Sequence, residues 1–75
     1  MTGKEVDFVV EQGRRLVAIE VKLSSNLHYD DTEGLRLFLE EYPETVTGVL
    51  LYAGNKIRYF HEKIVAVPWR LLAGG

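Results

Sequence analysis

Apolar and polar positions alternate along residues 5–11. Val6, Phe8 and Val10 point one way, and Glu5, Asp7, Val9 and Glu11 the other, which is the period of a strand. Gln12-Gly13-Arg14-Arg15 is polar and holds a glycine suited to φ > 0, so it predicts a turn. Residues 16–23 read as the second strand of a hairpin. Val17, Ile19, Val21 and Leu23 share one face, and Leu16, Ala18, Glu20 and Lys22 the other. Residues 24–29 read as loop. The period then changes. Leu35, Phe38, Leu39 and Tyr42 stand at i, i+3, i+4 and i+7, the stripe of an amphipathic helix. Asp30 or Asp31 can cap the helix, Asp30 with Glu33 resembles a capping box, and Pro43 stops the helix. Residues 46–52 (VTGVLLY) are nearly all apolar, which suits a buried central strand. A helix between two strands predicts a right-handed crossover and a parallel pair. Gly54-Asn55 predicts a turn. Residues 57–60 and 64–67 predict a second small hairpin around His61-Glu62, broken by Pro68 and followed by a short helix or tail over 69–72. The fold class expected is α/β: a mixed sheet with a strand hairpin, a central crossover helix and a parallel strand, in one domain over 1–75.

Composition narrows the function classes. Seventy-five residues make one small domain, which buries about 60% of its unfolded surface. Hydrophobic residues are 47% and charged residues 27%, the balance of a folded chain and not a disordered one. No apolar run approaches the roughly 20 residues of a membrane span. The absence of cysteine excludes disulfides, thiolate zinc sites and cysteine nucleophiles, and agrees with a reducing, cytoplasmic setting. Nine Lys and Arg against eleven Asp and Glu give a net charge of −2. Duplex readers are usually basic, so a polyanion would have to be met by metal ions, by local basic residues or by another part of a larger protein.

The hairpin carries the candidate chemistry. Its parity requires opposite residues to have an odd sum. A four-residue loop sets Asp7 against Glu20; a two-residue loop sets Asp7 against Ala18 and Glu5 against Glu20. Either way Asp7, Glu20 and Lys22 share a face, within about 4.5–8 Å at Cβ. Carboxylates set side by side repel, and a divalent cation between them offsets the repulsion. Lys22 stands where it can orient a water or stabilise charge developing on a phosphoryl group. The competing reading is a structural ion pair of Lys22 with Glu20 or Asp7 on a solvated sheet face.

Glu5-Val6-Asp7-Phe8-Val9-Val10, followed by Ala18-Ile19-Glu20-Val21-Lys22-Leu23-Ser24, resembles the PD-(D/E)XK nuclease superfamily. Within it the chain most resembles the C-terminal domain of unknown function appended to archaeal-type and bacterial P-loop ATPases. Gly34-Leu35 with Phe38, Tyr42-Pro43, Gly48-Val49-Leu50-Leu51 and Val67-Pro68 extend the resemblance over nearly the whole chain. It implies a restriction-endonuclease-like core and metal-dependent hydrolysis of DNA phosphodiesters. Asp7, Glu20 and the Val21 carbonyl would hold Mg²⁺ or Mn²⁺, and Lys22 would be the catalytic lysine. It also implies a P-loop ATPase region upstream. The superfamily's first helix and first strand do not precede Asp7, and Val6 stands in the place of its proline. The expectation is therefore a C-terminal fragment of a larger ATPase-associated protein. No G-x-x-x-x-G-K-[ST] occurs, so ATP hydrolysis does not reside in these residues. Two functions are expected: a nuclease-like domain, or a catalytically inactive docking or regulatory module of the same fold.

Other candidates are weaker. His28 and His61 lie far apart for a zinc site. Ser24 and Ser25 lack a His/Asp pair and suit a loop or cap. Arg14 and Arg15 are turn residues that are usually solvated.

Overall fold

Gly13 turns the first corner at φ 64°, a conformation that costs any residue with a Cβ. On either side run β1 (Phe8–Gln12) and β2 (Arg15–Val21), paired antiparallel. The computed structural model describes residues 6–73. After β2 the chain passes through a 3₁₀ turn (Tyr29–Thr32) and helix α1 (Glu33–Glu41) to β3 (Thr45–Tyr52). Strands β4 (Arg58–His61) and β5 (Ile64–Pro68) follow, then a 3₁₀ turn over Trp69–Ala73. The sheet order is β1-β2-β3-β5-β4. The pairs β2–β3 and β3–β5 are parallel, and the two edge pairs are antiparallel. This is the mixed α/β sheet that the residue pattern predicts, with α1 between a parallel pair.

Several boundaries differ from the pattern. The first strand begins at Phe8, because Asp7 lies in a bend; Glu5 lies outside the described residues. Leu23 falls beyond β2 and is 82% exposed. Of the two aspartates that could cap, Asp31 acts, and it does so on the 3₁₀ turn before α1: the His28 amide donates to Asp31 Oδ2 at 2.8 Å. Tyr42 leaves the helix and is exposed, its ring 4.6 Å from that of Phe38. Pro68 belongs to β5, opposite Tyr52.

The residue pattern does not say which sheet face α1 covers. The core is Ala18, Leu50, Tyr52, Ile64 and Ala66 from the sheet, with Leu35 from the helix and Leu27 from the loop. On β2 this is the face of Ala18 and Glu20. Val17, Ile19, Val21, Val49, Leu51, Val65 and Val67 line the opposite face and are only half-buried. Size decides this. Ala18 pairs with Gly48, and together they leave a shallow seat on the sheet. Leu35 fills it so closely that a Cβ added at Gly48 would lie 3.3 Å from Leu35 Cδ2. A helix approaches where side chains are small, although the other face is richer in β-branched residues.

Thr45 is fully buried, and its Oγ1 has no hydrogen-bond partner among the described residues. Thr45→Val removes that unpaired hydroxyl at nearly constant shape. It is expected to leave stability unchanged or raise it by about 1 kcal/mol, an increase of roughly 4–8 °C in melting temperature. A thermal melt followed by circular dichroism checks this; a large drop would mean the hydroxyl is engaged.

Candidate functional site

The hairpin ladder runs from Phe8↔Ile19 to Gln12↔Arg15, with Gly13-Arg14 as a two-residue turn. Its pairing sum is the one that sets Asp7 toward Glu20, and the turn is shorter than the four-residue alternative because Gln12 and Arg15 join the ladder. Asp7 stands one residue before the first pair. Its amide donates to the Ile19 carbonyl at 2.9 Å, and the chain bends there. Amides alternate sides along β2. The Lys22 amide donates to the Leu51 carbonyl of β3 at 2.7 Å, so the Val21 amide faces β1, where the ladder has ended. Asp7 Oδ2 accepts that amide at 2.7 Å. The aspartate thus takes the place of a missing strand carbonyl.

Glu20 is paired with Leu50 and points to the core side of the sheet. Its side chain is 15% exposed, and its Oε2 lies 3.1 Å from Lys22 Nζ. The other oxygen, Oε1, is buried with no hydrogen-bond partner among the described residues. An unpaired carboxylate oxygen removed from water is costly and uncommon. The Lys22 side chain is 31% exposed, just beyond the end of β2. Two carboxylates and one ammonium leave one negative charge in excess. The donors left to a ligand are therefore hard oxygens beside a cation, the set that suits Mg²⁺ or Mn²⁺.

Two contacts lie at the open end of the hairpin: Asp7 with the Val21 amide, and Glu20 with Lys22. Val21 enters through its amide, a role that spacing does not reveal, because the alternation runs on past Asp7 to Glu5 while the ladder ends at Phe8. Arg14 and Arg15 lie at the closed end, roughly 17 Å away along five strand residues, and do not join them. Among the described residues no group of three or more His, Asp or Glu gathers into a metal cluster. His61 Nδ1 accepts the Lys63 amide at 3.1 Å, a turn contact. Ser24 Oγ accepts the Asn26 amide at 2.9 Å, a loop contact.

The fold and this edge site describe a small α/β domain with an acid–acid–lysine set. A family model described as "Domain of unknown function (DUF4143)" matches residues 1–72, and the chain belongs to that family. No curated protein and no solved structure matches the chain. Among the described residues no helix is long and apolar enough to cross a membrane.

Proposed function

We propose that this is a nuclease-like domain of the PD-(D/E)XK kind, which hydrolyses DNA phosphodiesters with a divalent metal. In this reading it is the C-terminal part of a protein that also carries a P-loop ATPase. One observation carries the reading: the buried, unpartnered Oε1 of Glu20, whose other oxygen pairs with Lys22. A fold gains nothing from burying a carboxylate oxygen without a donor, and a cation there removes the cost.

Asp7 and Glu20 would hold Mg²⁺ or Mn²⁺, with the Val21 carbonyl as a further ligand. The metal supplies Lewis-acid activation of the phosphate and a more acidic water. Asp7 is held in place by the Val21 amide, so its second oxygen is oriented without cost to side-chain freedom. Lys22, anchored by Glu20 and open to solvent, orients the attacking water and offsets charge on the phosphoryl oxygens.

Titration with Mn²⁺ tests the site by paramagnetic broadening of amide signals. Asp7, Glu20 and Val21 are expected to broaden first. Broadening confined to Glu40, Glu41 and Glu44 would mean nonspecific surface binding. Affinity is expected to be weak, because such ions rely on substrate oxygens to complete their shell. A non-catalytic module of the same fold is the second reading. It rests on the Glu20–Lys22 ion pair, which is by itself an adequate structural contact.

A further inference from the structure

Ser25 follows β2, Ala53, Gly54 and Asn55 follow β3, and Arg70 follows β5. These five residues line one hollow of about 500 Å³. The three strands are neighbours and parallel, so the hollow lies outside their carboxyl ends. Open α/β sheets bind ligands in that position, because loops from adjacent strands converge there.

The chemistry of the lining is one-sided. Ser25, Asn55 and Arg70 bring a hydroxyl, a carboxamide and a guanidinium to the lining, and no carboxylate lines the hollow, in a chain whose net charge is −2. Among the described residues no ion pair engages Arg70. Another hollow, around Tyr29, Arg36 and His61, contrasts with this because Glu40 and Glu62 line it too. The loops are also fixed in place. The Ala53 amide donates to the Ser24 carbonyl at 3.1 Å, and Arg58 donates to the Leu27 carbonyl at 3.1 Å. Tyr52, 2% exposed, donates its hydroxyl to the Lys56 carbonyl. Gly54 lies directly against the Tyr52 ring, leaving no room for a Cβ there. The turn that carries Asn55 is thus pressed onto a buried ring and needs little further ordering to bind.

We propose that Ser25, Asn55 and Arg70 form a phosphate-binding subsite. Arg70 supplies a forked, permanently charged donor set that matches phosphate geometry, and Ser25 and Asn55 add neutral donors. The chain passes from Lys22 to Ser25 in three residues, on the order of 10 Å when extended. A phosphate held here therefore neighbours the acidic site. It is either a phosphodiester of a nucleic-acid strand or a free phosphate. The link to phosphodiester chemistry rests on the proposed function; the subsite itself does not, since it needs no metal.

Amide and arginine side-chain NMR shifts, recorded at constant ionic strength in EDTA, test it with two probes. One is inorganic phosphate and the other a short oligothymidylate. Ser25, Gly54, Asn55 and the Arg70 Nε–H are expected to shift together with one of the probes. Arg70→Gln is expected to weaken that binding by roughly ten- to a hundredfold, the loss of charged hydrogen bonds. Asn55→Ala, also at an exposed position, is expected to weaken it less. Preference for the oligonucleotide assigns a strand phosphodiester, and preference for phosphate assigns a free anion. EDTA keeps divalent metal out of the measurement, so a failed metal site and a failed phosphate site are told apart. Shifts scattered over Arg14, Arg15 and Lys63, or binding unaffected by Arg70→Gln, would overturn the proposal.

Discussion

Leu35→Ala is expected to cost about 2–5 kcal/mol, because it empties the seat formed by Ala18 and Gly48. At roughly 0.05–0.15 kcal/mol per residue, a domain this small has only about 4–11 kcal/mol in all. The variant should therefore melt far below the parent or fail to fold at room temperature. Phe38→Ala and Leu39→Ala should cost less, since both residues pack at the rim and are only half-buried. Stripe spacing alone ranks Phe38 and Leu39 beside Leu35; burial separates them. Urea unfolding of the three variants gives the order directly. Gly48→Val supplies a partner test. Alone it drives a side chain into Leu35, and with Leu35→Ala it refills the space, so the double variant should be more stable than the sum of the singles. Additive losses, or Leu35→Ala milder than Phe38→Ala, would mean the helix does not seat on Gly48.

Glu20→Gln is expected to abolish the metal response of the protein while changing its metal-free stability by no more than about 1 kcal/mol. The amide keeps the shape of the side chain, removes its charge, and offers a donor or acceptor in place of the unpaired Oε1. Lys22 is part-exposed and can turn its ammonium to water, so losing the 3.1 Å ion pair leaves no charge stranded. With Mn²⁺ at ten times its dissociation constant, the parent should gain about 1.4 kcal/mol, or several degrees in melting temperature. The variant should gain none. Melts of both proteins in EDTA and in Mn²⁺ decide the matter. A destabilised variant, with neither protein responding to metal, selects the structural ion pair and sinks the catalytic reading.

The candidate site is partly legible in the sequence. Period-two alternation broken by Gly13 fixes a hairpin, and hairpin parity places Asp7, Glu20 and Lys22 on one face whichever loop length is chosen. What parity does not contain is where the ladder ends. Asp7 stands one residue outside it, so its carboxylate answers a main-chain amide of Val21. That contact depends on the bend at Asp7 and on β3 occupying the other side of β2, both of which are tertiary facts. The ion pair of Glu20 with Lys22 follows from i, i+2 spacing, but the burial of Glu20 Oε1 depends on the core beside it.

Local covalent rules and the period of apolar residues therefore determined the elements, their order, the parallel pair across α1 and the residues that share each face. These depend on neighbours a few positions apart, which the chain itself specifies. The tertiary structure alone decided which face the helix covers, and thus which residues are core. Hydrophobicity favours the Val17, Ile19 and Val21 face, yet α1 lies on the face of Ala18 and Gly48. The depth of a seat is set jointly by two strands that are distant in sequence, and close packing rewards the fit of Leu35 into it more than the apolar character of either strand alone.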